Sequence, residues 1–110
     1  EKWRPLYRKY MPTIIALGEA GWEPVTHATA EPATILVERF GPREGALYLT
    51  ACNPTEQPAT VTFAVDCAAL GIGALTAVVR LPDERQIGVG NGRFQDTLEP
   101  GVTCAYRLLY

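Results

Sequence analysis

The sequence has little histidine, no long apolar run and no large excess of either charge. His27 is the only histidine among the 110 residues, so the sequence predicts no metal site built from a histidine pair. No apolar stretch approaches the ~18 residues of a membrane-spanning helix, and no membrane partner is expected. Ten basic and twelve acidic residues are interspersed, giving a net charge of −2. Without a basic stripe to neutralise phosphates, the chain is predicted to bind no nucleic acid.

Cysteine is also scarce. Cys52, Cys67 and Cys104 are an odd number and none is part of a Cys-x-x-Cys pair, so neither a full disulfide framework nor a zinc knuckle is indicated. We interpret the three side chains as small buried hydrophobic groups. A single bridge from Cys52 to Cys104 or to Cys67 stays open at this point.

The apolar pattern changes near residue 22, which divides the chain into a helical lead-in, 1–22, and a strand-rich part, 23–110. Apolar residues in the lead-in recur at steps of three and four, which is typical of one helix face. Gly21 suits the position after a helix end, whereas Pro12 removes a helix hydrogen bond. We expect either a kink near Lys9 or a second helix that starts at Pro12. The apolar face consists of Leu6, Tyr7, Tyr10, Ile14, Ile15 and Leu17.

The strand-rich part contains short β-forming runs separated by turn residues, a pattern typical of an antiparallel β-sandwich of immunoglobulin-like or similar Greek-key type. Strands are predicted at 34–40, 46–52, 59–66, 74–81 and 102–109. The pair Asn91-Gly92 predicts a two-residue hairpin turn. Alternation places four rows of side chains in the core: Leu47, Leu49 and Ala51; Val61, Phe63 and Val65; Leu75, Ala77, Val79 and Leu81; Val102, Cys104, Tyr106 and Leu108.

No catalytic constellation is found in the strand-rich part. Hydrolysis of glycosides usually needs two convergent carboxyl groups, but the acidic residues mostly fall at turns or at positions predicted to face solvent. These residues are Glu38, Asp66, Asp83, Glu84, Asp96 and Glu99. Gly88-Val89-Gly90 lacks the strand-to-helix context of a dinucleotide site, so no cofactor is predicted.

Two groups of aromatic residues suggest contacts with other molecules. Tyr48 is predicted to point away from the core, where its ring could stack on a sugar or lie beneath a helix. Trp3, Tyr7, Tyr10 and Trp22 are interpreted as anchors that hold the helix to the sandwich or to a further domain.

Several segments occur in a recognisable order. The helix is followed by Ala20-Gly21-Trp22, then by Val37-Glu38-Arg39-Phe40-Gly41, then by Asn53-Pro54-Thr55, and finally by Leu98-Glu99-Pro100-Gly101. This order resembles the C-terminal β-sandwich domains of TIM-barrel glycoside hydrolases, whose acid and nucleophile lie on the barrel. The resemblance implies that residues 1–22 are the tail of a preceding catalytic domain and that Leu6, Tyr7, Tyr10 and Trp22 contact it.

The sequence thus favours a non-catalytic accessory domain of a carbohydrate-active enzyme. The chain begins with glutamate rather than methionine, and we expect it to be the C-terminal piece of a longer protein. Two alternatives remain, a carbohydrate-binding module that uses Tyr48 and an immunoglobulin-like protein interaction domain.

Overall fold

The computed structural model describes the backbone of residues 4–110 and the side chains from Pro12 onward. The first element is a helix, α1 (Arg4–Ala20). It ends at Gly21, whose φ is +87° and whose N–H donates to the carbonyl of Leu17 at 3.0 Å. Pro12 lies inside this one helix, so the predicted second helix starting at Pro12 is wrong: proline keeps a helical φ and costs one hydrogen bond. The kink near Lys9 stays a prediction.

The rest of the chain folds almost entirely into strands. They are β1 (Trp22–Glu23), β2 (Ala28–Glu31), β3 (Leu36–Arg43), β4 (Ala46–Cys52), β5 (Ala59–Val65), β6 (Ala77–Leu81), β7 (Arg85–Ile87), β8 (Val89–Gly90), β9 (Arg93–Leu98) and β10 (Thr103–Leu109), with a one-turn helix, α2 (Cys67–Leu70), after β5. One sheet has the order β1-β3-β4-β10-β6-β7 and the other the order β2-β5-β9-β8. The predicted all-β sandwich with an N-terminal helix is confirmed.

All five predicted strands are present, with the closest agreement at β4, β5 and β10. The Asn91-Gly92 turn is confirmed between β8 and β9, with φ values of +53° and +71°. The predicted ranges contain none of β1, β2 and β7, and β8 and β9 were predicted only as the two sides of the Asn91-Gly92 hairpin. The predicted boundary between residues 22 and 23 falls inside β1, and the division of the chain into two units stays a prediction.

The core lies between the two sheets and follows two of the predicted rows closely. Leu47, Leu49 and Ala51 of β4 face Val61, Phe63 and Val65 of β5, and all six are buried. Phe63 stacks on Phe94 with 4.7 Å between ring centroids, and Tyr106 lies 5.4 Å from both rings. Three aromatic side chains therefore form the centre of the core.

The predicted rows on β6 and β10 need correction. Leu75, just before β6, is in the core as predicted. Within β6 the residue between the sheets is Val78, whereas Val79 pairs with Arg107 on the outer face, where it is also buried, so the predicted phase of the strand is wrong by one residue. Because Ala77, Val78 and Val79 are all apolar, alternation alone could not fix that phase. On β10 three predicted residues are buried, but Val102 is exposed in the turn before the strand.

The cysteines form no bridge. Cys52, Cys67 and Cys104 are free thiols, and Cys104 is the one that is fully buried. Cys104 is paired with core-facing Ala51, so its side chain points inward while that of Cys52 points outward. The open alternative of a Cys52–Cys104 bridge is thus contradicted by the pleat of the strands.

Within residues 4–110 no helix is long and apolar enough to cross a membrane. In the same part of the chain, no three His, Cys, Asp or Glu residues are grouped closely enough to hold a metal ion.

Candidate functional site

Asp96 is the centre of a polar cluster inside the sandwich. It lies on β9 between the core residues Phe94 and Leu98, and its side chain is 7% exposed. Oδ2 accepts hydrogen bonds from Arg80 Nη1 and from the Tyr106 hydroxyl, both at 2.8 Å, and Oδ1 accepts one from Arg85 Nη2 at 2.6 Å. One carboxylate thus connects β9 of the smaller sheet to β6, β7 and β10 of the larger one.

The cluster shifts the pKa values of its neutral members. Burial raises the pKa of the Tyr106 hydroxyl, and the hydrogen bond to Asp96 raises it further. Burial also raises the pKa of the Cys104 thiol, although Arg80 opposes this effect and donates from Nη2 to Sγ at 3.0 Å. Both groups therefore stay protonated at neutral pH, and neither has the depressed pKa of an activated nucleophile.

The prediction that Asp96 faces solvent is wrong. Phe94, Asp96 and Leu98 share one side of β9, and alternation from the two apolar neighbours would have placed the carboxylate inside. A buried carboxylate needs cationic or hydroxyl partners, but the sequence does not show which strands supply them. Arg80, Arg85 and Tyr106 come from positions 10 to 16 residues away along the chain.

The second notable surface is the outer face of the six-stranded sheet together with α1, here called the helix-bearing face. Helix residues Thr13, Ala16 and Leu17 border clefts whose opposite walls are Tyr48, Thr50 and Leu81. Cross-strand pairing places Trp22, Phe40, Tyr48, Arg107 and Val79 in one row along this face. The row crosses the sheet from the exposed edge strand β1 to β6, and Tyr48 in its middle lies beneath the helix.

The two sequence-predicted contact residues with described side chains lie in this row. Tyr48 points away from the core as expected, but it is only 9% exposed because it lies beneath α1. A sugar could stack on this ring only if the helix moved, and the sugar contact at Tyr48 stays a prediction. Trp22 is 57% exposed, and its role as an interdomain contact is untested. The side chains of Trp3, Leu6, Tyr7 and Tyr10 lie outside the described residues.

Arg39 fixes the segment that follows Trp22. Its side chain is buried, and it donates from Nε to the Thr26 carbonyl at 2.9 Å and from Nη2 to the Val25 carbonyl at 2.6 Å. A third bond runs from Nη1 to the carbonyl of Gly41. All three acceptors are uncharged backbone carbonyls, so the charge of Arg39 is not neutralised. The bonds satisfy N–H donors at Nε, Nη1 and Nη2 and hold the segment after β1 in place.

Two of the segments in the recognised order meet at one end of the sandwich. Asn53 is fully buried and donates from Nδ2 to the carbonyls of Gln57 at 2.7 Å and Leu98 at 3.1 Å. Its Oδ1 accepts from the backbone N–H of Thr55 at 3.0 Å, and Gly101 N–H donates to the Asn53 carbonyl at 2.8 Å. The Asn53-Pro54-Thr55 turn and the Leu98–Gly101 turn are therefore one hydrogen-bonded unit.

Comparisons with known proteins identify the fold but not a family. No protein-family model and no curated protein matches the chain. A glycoside hydrolase family 30 subfamily 8 xylanase from Clostridium acetobutylicum superposes with a TM-score of 0.53 and 14% identity. A family 30 endoxylanase from Clostridium papyrosolvens gives 0.57 and 14%. The matches cover 71% and 74% of this chain but only 21% and 22% of those chains.

Proposed function

We propose that this chain is a non-catalytic accessory domain of a larger glycoside hydrolase and that it packs against the catalytic domain of that enzyme. The observation that carries the proposal is the shared fold, which takes up about a fifth of two xylanase chains (21% and 22%) and most of this one. By analogy, xylan is the first polysaccharide to test as substrate of the complete enzyme.

The polar groups of the domain support a structural role. Asp96 accepts three hydrogen bonds from side chains that hold the sheets together. The Asp96 side chain is only 7% exposed and all three of its partners are side chains of the opposite sheet, so the carboxylate is not presented to a substrate. The proposed catalytic groups accordingly belong to the other domain.

The distribution of exposed apolar residues supports docking through the helix-bearing face. Five of the eight exposed large hydrophobic side chains in residues 12–110 lie on that side of the molecule. The outer face of the four-stranded sheet carries threonine, glutamine and charged residues instead. An apolar surface restricted to one side is typical of an interface. The five residues are Ile14, Ile15, Trp22, Leu36 and Leu109.

The test uses the complete enzyme that contains this chain, with Trp22→Ser as the probe. We expect the thermal midpoint of the catalytic domain and its activity after heating to fall, because the exposed indole is lost from the interface. In the domain alone the same change costs less than about 1 kcal/mol, since Trp22 is largely exposed on an edge strand.

Tyr110→Ser is the matched control, because Tyr110 is an exposed aromatic residue outside the row that contains Trp22. Deletion of residues 22–110 from the complete enzyme provides the second arm. A truncated enzyme with unchanged stability and unchanged activity would refute the accessory role.

A further inference from the structure

We propose that the domain also binds a neutral polysaccharide chain in a polar cleft on the side of the sandwich away from α1. The cleft has a volume of about 380 Å³ and is lined by residues of β5, β7 and β9. The cleft is shallow and open to solvent, so it could contact one side of an extended chain without enclosing it. β8 pairs with β9 only as far as Phe94, so the remainder of β9 is open on that side and β7 approaches it there.

The floor of the cleft presents a guanidinium group in a fixed position. Arg85 is 57% exposed, yet its Nη2 is held by the buried carboxylate of Asp96 at 2.6 Å. Because Asp96 is itself held by Arg80 and Tyr106, little side-chain freedom remains to be lost when a ligand accepts a hydrogen bond from Arg85.

The walls of the cleft offer neutral hydrogen-bonding groups. Gln95 donates from Nε2 to Thr62 Oγ1 at 3.0 Å, which orients its amide and leaves the carbonyl oxygen as an acceptor. Thr60 and Thr97 are directly opposite each other on β5 and β9 and both line the cleft. Sugar hydroxyls both donate and accept, so they match this mixed set of amide, hydroxyl and guanidinium groups.

The charges at the cleft are partly balanced. Asp96 pairs with both Arg85 and Arg80, and Arg80 lies largely inside the sandwich, so Arg85 is the partly compensated cation that a sugar hydroxyl can meet. The choice of a polysaccharide rests on the proposed function, since the accessory domain of a glycan-degrading enzyme meets such chains. Binding here leaves the helix-bearing face free for the catalytic domain.

The test is affinity electrophoresis of the 110-residue chain in native gels that contain soluble xylan or hydroxyethyl cellulose. We expect at least one polymer to retard the chain. Arg85→Ala and Gln95→Ala should each weaken binding about three- to tenfold, the usual effect of losing one hydrogen bond. Arg93→Ala is the control, because Arg93 is an exposed cation on the same strand but does not line the cleft.

Three results would overturn the proposal: no retardation by either polymer, equal weakening by Arg93→Ala, or loss of binding in Trp22→Ser with Arg85→Ala unaffected. Urea unfolding of each variant verifies that it is folded. The accessory role is measured separately, by the stability of the complete enzyme, so either proposal can fail while the other holds.

Discussion

At the scale of single residues, Asp96 accepts hydrogen bonds from side chains on three strands of the opposite sheet. Replacing it by asparagine removes the negative charge beside Arg80 and Arg85 and places amide hydrogens near three donors. We expect Asp96→Asn to lower the free energy of unfolding by about 2–4 kcal/mol, with most of the loss at the shielded Arg80 and Tyr106 contacts. Urea denaturation at pH 7 measures this change in the free energy of unfolding.

Asp66→Asn is the matched control for this change. Asp66 is exposed and its Oδ1 caps α2 by accepting from Ala69 N–H at 3.1 Å, a role that asparagine performs equally well. Equal losses from the two substitutions would show that Asp96 contributes no more than a surface carboxylate.

Tyr106 determines how stability depends on alkaline pH. Its pKa is higher in the folded domain than in the unfolded chain, where it is about 10, so the unfolded chain releases the proton first as pH rises. The contribution to stability is complete below pH 10 and is lost above it, with a slope that approaches about 1.4 kcal/mol per pH unit. The raised pKa of Cys104 acts in the same direction from about pH 9.

Unfolding free energies measured between pH 8 and 11 test whether stability falls as the pH rises above 10. In Tyr106→Phe the slope above pH 10 should be smaller, because position 106 then has no hydroxyl that can ionise in the unfolded chain, although the variant starts from a lower stability at neutral pH. Identical slopes in the original chain and in Tyr106→Phe would contradict the assignment.

The residue scale also shows why a site can be missed. The parity of Phe94 and Leu98 places Asp96 inside, whereas the charge of an acidic residue by itself favours a solvent-exposed position. Its partners lie on other strands, and their approach depends on sheet packing that no local pattern encodes.

At the scale of elements, the turn built around Asn53 closes one end of the sandwich. Asn53→Ala removes two donated bonds and the acceptor for Thr55, and it leaves the Leu98 carbonyl without that partner. We expect a loss of about 2–4 kcal/mol, because the site is buried and several bonds disappear together. Thermal unfolding of the isolated domain provides the measurement.

Gln57→Ala is a suitable comparison in the same turn, since only the backbone carbonyl of Gln57 accepts from Asn53. Its exposed amide should be dispensable, with an effect within about 0.5 kcal/mol. A loss at Gln57 as large as that at Asn53 would mean that any change in this turn is disruptive.

Elements with strict alternation were predictable, and elements without it were not. In β4 the inward positions are Leu47, Leu49 and Ala51, and in β5 they are Val61, Phe63 and Val65, so both the strands and their buried sides followed from the sequence. β6 has three consecutive apolar residues from Ala77 to Val79, so its phase was undetermined. β1 and β2, with two and four residues, are too short for alternation to be distinguished from chance.

At the scale of the whole molecule, the two outer surfaces differ in polarity. We expect the isolated domain to associate at high concentration through the helix-bearing face, because Ile14 and Ile15 of α1 are exposed there. The double variant Ile14→Lys, Ile15→Glu should be monomeric in size-exclusion chromatography with light scattering.

Thr29→Lys combined with Thr60→Glu makes a comparable change on the opposite face and should leave association unaltered. If the isoleucine variant associates as strongly as the original chain, the helix-bearing face is not the surface through which the domain associates.

The order of the strands in the two sheets could not be predicted from the sequence, because pairing between distant segments depends on the complete set of packed side chains.

The position of β10 has a consequence for how the protein is made. This last strand is inserted between β4 and β6, which are therefore separated until residues Thr103–Leu109 are available. During synthesis from the N-terminus, neither β4 nor β6 can complete its pairing, and Asp96 lacks its bond to Tyr106. The six-stranded sheet must consequently close after its final strand leaves the ribosome, and until then two strand edges require protection from aggregation.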